Sequence, residues 1–305
     1  MTRMPLAPPP SPQPEGFAWR DRVTLVAPLG LRFWDAVSET VVGERLMSYA
    51  APADDPRRRV RAFTNPSGIH VLRDLPGLRD FETGSGDARF WADHPPRFEF
   101  IIEVEDRTQQ FQPFSFRIRL PLRGLLVWDC APSGSPSKPI AAVPLFSTPS
   151  RAVPAGFAVV RAELWDDATG SPAAWAMLEV ALPSGPPVRG LADRDGRVAV
   201  IFPYPEPPSE AFASPPGSPP PGVGLSMFSE VWDIELRAYY LASRLAPVVP
   251  DLCDALLQPE AMLWADAART QPLGTQGLQF GRELIVRSAG DANGRLLVTP
   301  IGSPP

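Results

Sequence analysis

The stretch that most constrains the fold is residues 188–205, VRGLADRDGRVAVIFPYP, in which a tight turn leads into an alternating strand. In the turn, Asp193 and Asp195 can accept hydrogen bonds from backbone N–H groups two residues further on, and Gly196 tolerates a positive φ. After the turn, apolar residues recur at every second position, which is the period of a half-buried β-strand. The stretch therefore predicts one hairpin of a small antiparallel β-sandwich.

Proline supports an all-β fold for the whole chain. Proline accounts for 41 of the 305 residues, which is more than twice the share of about 5% in ordinary proteins. Such a density is incompatible with a mainly helical protein, because proline lacks the N–H group that a helix needs. Short strands joined by loops accommodate it.

Two features of this region have counterparts earlier in the chain. Trp34-Asp35 aligns with Trp165-Asp166 at an offset of 131 positions, and residues 60–77 align with 188–205 at an offset of 128. In the second alignment an Asn-x-x-Gly turn stands where the later stretch has Asp-x-x-Gly. Two features in the same order at nearly the same offset predict a tandem repeat of one β-domain.

This repeat and the proline-rich tracts predict a domain plan. We expect a polyproline II tail at 1–18, a first sandwich at 19–130, a linker at 131–151, and a second sandwich at 152–245 with a proline-rich insertion at 203–224.

Residues 246–305 show no match to the first copy and are predicted to form a C-terminal arm. Asp251 is placed to cap a short helix, and an Asn-Gly pair is a strong hairpin signal between two apolar runs. We expect this hairpin to dock on a partner through Leu284, Val286, Asn293, Gly294, Leu296 and Val298.

The turns and strands of both copies resemble the carboxypeptidase regulatory-like, or transthyretin-like, β-sandwich family. The resemblance implies two tandem transthyretin-like (prealbumin-like) antiparallel sandwiches, and its motifs are structural. The first copy departs from the pattern where Asn65 replaces the acidic turn residue. The turn residues concerned are Asp35, Asn65, Gly68, Asp166, Gly170, Asp193, Asp195 and Gly196.

The layout as a whole is similar to that of accessory structural proteins of phage-tail-like contractile injection systems. That resemblance implies partners that are other protein subunits of a larger assembly. A carbohydrate- or peptide-binding sandwich module is the alternative, and exposed aromatic residues such as Phe212 and Phe228 would favour it.

A catalytic constellation is not apparent in the sequence. Of the two histidines, His70 is expected on the polar face of a strand and His94 in a turn. The intradiol dioxygenases share the sandwich fold, but the second copy lacks the histidines that such an iron site needs. For the aspartates, turn capping is favoured over calcium binding, and Cys130 and Cys253 are expected to be free thiols. We therefore expect no enzyme activity, no cofactor and no metal.

Charge and hydropathy bound the remaining classes. A net charge of −5 gives no electrostatic basis for nucleic-acid binding. The sequence has neither a signal-like N-terminus nor an apolar run long enough to span a membrane. We expect a cytoplasmic protein, alone or as part of a particle that the cell releases.

Overall fold

The computed structural model describes residues 26–83, 88–122, 124–130, 141–206, 230–241 and 248–301. The predicted tail at 1–18, most of the insertion at 203–224, and Phe212 and Phe228 lie outside these residues. The protein is all-β, as predicted. Residues 26–148 and 157–300, taken where they are described, are called the first and second units below.

The first unit contains strands β1 (Leu29–Leu31), β2 (Phe33–Asp35), β3 (Thr40–Val42), β4 (Leu46–Pro52), β5 (Val60–Arg61), β6 (Phe63–Thr64), β7 (His70–Leu72), helices α1 (Arg79–Glu82) and α2 (Ala88–Asp93), and strands β8 (Phe98–Asp106), β9 (Phe114–Leu120) and β10 (Val143–Leu145).

The second unit contains strands β11 (Phe157–Asp166), β12 (Ser171–Pro172), β13 (Met177–Ala181), β14 (Val188–Leu191), β15 (Arg197–Pro203) and β16 (Val231–Tyr239), helix α3 (Leu252–Leu256), and strands β17 (Glu260–Leu263), β18 (Gln276–Gln279), β19 (Leu284–Val286) and β20 (Leu296–Pro300). In the described part of the chain, no helix is long and apolar enough to cross a membrane.

Each unit contains an antiparallel sheet with one face buried. In the first, β8 pairs with β4 on one side and β9 on the other. In the second, β16 pairs with β13 on one side and with β17 and β18 on the other. Strand β16 alternates strictly between exposed and buried positions, and β8 alternates through its centre. That pattern is typical of a sheet with one solvent face.

The pairing of the first strands recurs from unit to unit. In the first unit Leu31 lies opposite His70. In the second, Ala162 lies opposite Val198. Ala162 follows Leu31 by 131 positions, and Val198 follows His70 by 128. Each unit then closes with a parallel strand: β10 beside β2, and β20 beside β11. The sequence offsets are therefore register offsets of the sheets.

The predicted C-terminal arm is wrong, because these residues complete the second unit. Strands β19 and β20 both pair in parallel with β11, and β20 also pairs with β17. The first unit has the same arrangement, with a parallel bridge from Gly30 to Leu125 followed by β10 beside β2. Residues 284–300 thus correspond to residues 124–145, although their sequences do not align.

The predicted docking hairpin is also wrong, since β19 and β20 do not pair with each other. They lie one after the other along β11, separated by a loop that the Ser288 N–H closes by donating to the Arg295 carbonyl at 2.9 Å. The turn at Asn293 and Gly294 forms locally at the tip of this loop. The apolar residues on either side are turned into the core: Leu296 and Val298 are fully buried and Val286 is 2% exposed.

Two further expectations need correction. The predicted linker at 131–151 contains β10, which belongs to the first unit's sheets. The predicted half-buried strand, β15, is buried on both faces over its five central residues. Its second face packs with Val37 of the first unit and Val159 in a small apolar cluster.

One hydrophobic core extends across both units, beside a second core that lies within the second unit. The largest apolar cluster combines first-unit residues with Met177 and Leu191 of the second unit and with Leu252 and Leu256 of α3. Backbone bonds cross the same boundary, since the Ser115 N–H donates to the Pro250 carbonyl at 2.8 Å. The units are therefore packed against each other as one body.

Candidate functional site

Two of the predicted turn aspartates occupy equivalent turns. The Asp35 carboxylate accepts from the N–H groups of Val37 and Ser38 at 3.0 and 3.3 Å. Asp166 accepts from the N–H groups two and three positions after it at 3.0 and 3.4 Å. Gly170 ends the second turn with φ of 65° and an N–H bond to the Asp166 carbonyl. Both carboxylates stabilise the turn that joins a strand to its hairpin partner.

The other pair of turns matches as closely. The Asn65 side-chain oxygen accepts from the N–H groups two and four positions after it, both at 3.0 Å. The Asp193 carboxylate does the same at 2.8 and 2.9 Å, from Asp195 and Arg197. Gly68 and Gly196 have φ of 74° and 78°. A Cβ on Gly196 would also collide with the Leu164 carbonyl.

These turn residues have structural roles. Burial raises the pKa of the Asp193 carboxyl, and the hydrogen bonds from the backbone of Arg197 and Asp195 oppose that shift. The Asp195 side chain is exposed and faces Arg194 at 3.8 Å. Over the residues that the structure describes, no three His, Cys, Asp or Glu side chains come together as a metal site.

Both histidines have hydrogen-bond partners, which are distant in sequence for His70 and local for His94. His70 is 1% exposed, so the predicted polar-face position is wrong. One ring nitrogen lies 2.8 Å from the Ser48 hydroxyl and the other 2.9 Å from the Gly43 carbonyl. Burial lowers the pKa of His70, and the bond to Gly43 only partly offsets this. His94 lies 2.7 Å from the Phe90 carbonyl.

A buried ion pair connects the first unit to the segment between the units. The Arg151 guanidinium donates to both carboxylate oxygens of Asp35, at 2.9 and 2.6 Å, and to the Ser147 hydroxyl at 3.1 Å. Both side chains are less than a tenth exposed. Burial raises the pKa of the Asp35 carboxyl, but the bonds from Arg151, Ser38 and Val37 outweigh it and leave the pKa below its ordinary value.

The two cysteines form a disulfide, so the expectation of free thiols is wrong. Cys130 follows the first unit's Trp128, Cys253 lies in α3, and their Cα atoms are 5.3 Å apart. The bond joins positions 123 residues apart in sequence. Two isolated cysteines in a sequence give no sign of their distance, and only the packing of α3 against the first unit brings them together.

A concave, mostly apolar surface lies where the described parts of the two units meet, and it is called the inter-unit cleft below. Its volume is about 660 Å³. It is lined by apolar rings and prolines from both units, among them Trp128, Phe146, Pro186, Pro187, Tyr204 and Pro205. Cys130 and Leu256 contribute to the wall, so the disulfide and α3 help to shape it.

The charged groups near the cleft are few and mostly paired. Arg189 donates to the buried Glu179 carboxylate at 2.6 Å, and its guanidinium also lies over the Tyr239 ring. Glu39 is exposed at the rim. This volume is typical of ligand sites, and the lining suits an apolar, extended chain better than a charged ligand. The sequence signal for it was weak, because its rings and prolines come from distant segments.

Comparisons with known proteins identify no family for this chain. No family model and no curated protein matches it. Among solved structures, it is similar at 8% identity and a TM-score of 0.23 to the Bacillus anthracis TIE protein, over 90% of this chain and 34% of that one. It is similar at 9% identity and a TM-score of 0.21 to the shaft pilin SpaA from Lactobacillus rhamnosus GG, over 91% of this chain and 98% of that one. The chain thus spans about a third of the TIE protein, and neither likeness bears on function.

Proposed function

We propose that this protein is a non-catalytic structural or adaptor subunit of a multiprotein particle, built from two transthyretin-like sandwiches. The observation that carries the proposal is the inter-unit cleft, an apolar docking surface that exists only because the two units are fixed together. The particle that the sequence layout suggests is a phage-tail-like contractile injection system.

The fixing of the units supports a structural role. The shared core, the disulfide and the buried pair of Asp35 and Arg151 connect the units and their junction by three different means. A subunit that holds its neighbours at fixed positions within a particle needs such rigidity. Units joined only by a flexible linker reorient freely.

The described polar groups also fit a non-catalytic role. Both ring nitrogens of His70 have partners, and the carboxylates of Asp35, Asp166 and Asp193 accept turn hydrogen bonds. At none of these groups does a nucleophile lie beside a base in an open cavity.

The lining of the cleft favours an extended segment of another protein as its occupant. Apolar grooves with aromatic walls bind peptides through side-chain burial rather than charge. The peptide-binding reading of a sandwich module is therefore part of this proposal.

The disulfide bears on where the particle acts. Structural disulfides persist in oxidising surroundings and are rare in the reducing cytoplasm. We therefore propose that the subunit functions in a particle that is released from the cell or acts outside the cytoplasm.

Sedimentation tests the proposal. Extracts and released material from native cells are fractionated without reductant, and the wild-type chain is compared with Ala36→Arg, an exposed position in the cleft wall. Ala152→Arg, exposed and outside the cleft wall, is the matched control. We expect the wild type and the control to migrate with a large particle and Ala36→Arg to leave it. A wild-type chain that migrates at its own mass of 33.1 kDa would refute the proposal.

A further inference from the structure

We propose that another cavity, formed around Trp175, binds a neutral saccharide. Its walls come from residues 105–113, 148–150 and 193–197 together with Trp175, and it is called the Trp175 pocket below. Its volume of about 590 Å³ lies within the range of small-ligand sites. The inference goes beyond the proposed function and does not rest on it, because this pocket and the inter-unit cleft have no lining residue in common.

The indole N–H of Trp175 is the group that points to a ligand. Trp175 is 3% exposed, and its Nε1 atom has no hydrogen-bond acceptor among the residues that the structure describes. A buried donor without an acceptor is costly, and native proteins rarely leave one. Because Trp175 lines the pocket, an oxygen atom of a bound molecule can supply the acceptor that the protein does not.

The backbone holds this indole in an unusual conformation. The φ of Trp175 is 62°, in the left-handed region that a bulky residue rarely adopts. The Trp175 N–H donates to the Asp193 carbonyl at 3.3 Å, and the Trp175 carbonyl accepts from the buried Gln258 amide at 2.9 Å. Strain of this kind persists only where the surrounding structure enforces it, and it concentrates at binding sites. The indole is therefore fixed in position at the pocket.

The lining also offers polar groups that the fold leaves unused. In the Asp193 carboxylate, Oδ1 accepts both turn N–H groups, and Oδ2 has no hydrogen-bond partner in the described part of the chain. The Gln112 side chain donates to the Leu191 carbonyl at 3.4 Å, which leaves its oxygen as an acceptor. The Arg197 guanidinium is exposed and forms no ion pair with a described residue. Donors and acceptors therefore line the same pocket.

This combination favours a neutral ligand rich in hydroxyl groups. A hydroxyl both donates and accepts, so neighbouring hydroxyls of a sugar can satisfy the indole N–H and the carboxylate oxygen together. The lining carries four carboxylates and two guanidinium groups, those of Glu105, Asp106, Asp193, Asp195, Arg194 and Arg197. This excess of negative charge disfavours an anion, and an ammonium or guanidinium ligand has no acceptor for the indole N–H. The buried indole acts here as a donor and not as a stacking surface.

NMR of the indole groups in the full-length, unreduced protein tests the inference. Tryptophan is labelled with ¹⁵N, and the Trp175 signal is identified by its loss in Trp175→Phe. Maltose, cellobiose and N,N′-diacetylchitobiose are then titrated at millimolar concentrations. We expect at least one sugar to move the Trp175 signal downfield, because a new acceptor deshields its proton. The Trp264 signal is the internal control, since its Nε1 already donates to the Thr299 hydroxyl at 2.9 Å.

Two arginine variants locate the bound sugar. Arg197→Gln should weaken its affinity about ten-fold, as the loss of one hydrogen bond from a charged donor does. Arg237→Gln, at an exposed position of β16 outside the pocket, should leave the affinity unchanged. The absence of a Trp175 shift with all three sugars overturns the inference, and so does equal affinity in the wild type and Arg197→Gln. A Trp175 shift produced by inorganic phosphate or by a dilysine peptide, and not by the sugars, overturns the assigned ligand class.

Discussion

Asp35 and Asp166 occupy the same turn position in the two units, yet their carboxylates have different distant partners. Asp35 pairs with Arg151 in the segment between the units. Asp166 faces Tyr240, and burial followed by the charge of Asp166 raises the pKa of the Tyr240 hydroxyl. The turn is thus the same in both units, while the partner differs, and only the first unit connects in this way to the junction.

The ion pair of Asp35 and Arg151 yields a first prediction. Arg151→Ala leaves the Asp35 carboxylate buried without its cation, and such a change costs about 3–5 kcal/mol of unfolding free energy. Arg59→Ala is the control, because Arg59 pairs with Glu103 on the surface and such pairs contribute about 1 kcal/mol or less. Urea unfolding at pH 7 measures both. Equal losses would show that the buried pair has no special role.

His70 yields a prediction about pH. The unfolded chain binds a proton at His70 near pH 6.5, whereas burial lowers the pKa in the folded chain. Well above pH 6.5 neither state is protonated at His70, and as the pH falls through 6.5 the unfolded state gains the proton first. The free energy of unfolding should therefore fall as the pH is lowered from 7.5 to 5.5, with a limiting slope of about 1.4 kcal/mol per pH unit.

The two histidines make this experiment clean. His70→Gln should flatten the pH dependence in that window, whatever it does to overall stability. His94→Gln should leave the dependence in place. A wild-type protein whose stability does not change between these pH values contradicts the assignment of His70 as a neutral buried group.

At this scale the sequence predicted what is local and missed what is distant. The four turns follow from an Asp or Asn, because their hydrogen bonds stay within five residues. Three of them also have a Gly at the position of positive φ, whereas Glu39 holds that position in the Asp35 turn. The partner of Asp35 is 116 positions away, and the burial of His70 depends on Ser48 from another strand. No pattern around either residue indicates these contacts.

At the scale of elements, substitutions in the C-terminal strands test whether these strands belong to the core or to a separate arm. Val286 is 2% exposed and Ile285, its neighbour on β19, is 65% exposed. Val286→Asp should destabilise the second unit by several kcal/mol, on the order of 3 or more, because it buries an unpaired charge. Ile285→Asp should change stability by about 0.5 kcal/mol or less. Thermal or urea unfolding measures both variants. Similar, small effects at both positions would support the predicted C-terminal arm instead.

The disulfide gives a second prediction at this scale. Closing a loop of 123 residues lowers the entropy of the unfolded chain, an effect worth about 5 kcal/mol in the chain-entropy account. The variant Cys130→Ala/Cys253→Ala should therefore unfold at lower urea concentration. Labelling of the unfolded, unreduced protein with maleimide is the direct check: we expect no label before reduction and two per chain after it. Label without reductant would show that the thiols are free.

The Asn-Gly turn shows why elements were misassigned from sequence. Its chemistry correctly predicts a reversal of the chain, but it does not determine which strand pairs with which. Here the two flanking strands, β19 and β20, both pair with β11 instead of with each other. Apolar positions such as Val286 and Val298 fit a docking surface and a core strand equally well, and only the rest of the sheet decides between them.

At the scale of the whole molecule, the offsets between the two units could be read from the sequence, whereas the contacts that join the units could not. Aligned turns at offsets of 131 and 128 correspond to aligned strand registers. The shared core and the inter-unit cleft arise from α3, from the disulfide and from loops whose sequences do not repeat. The features on which the proposed function depends therefore lie where the two units differ in sequence.

The central claim is that the two units form one body around a lasting cleft. A pair of spin labels at Arg57 and Ala268, exposed positions in different units, measures it through electron–electron dipolar distances in the full-length, unreduced protein. One narrow distance distribution is the result we predict. A broad distribution, or two separate distances, would show that the units move independently and would contradict the account.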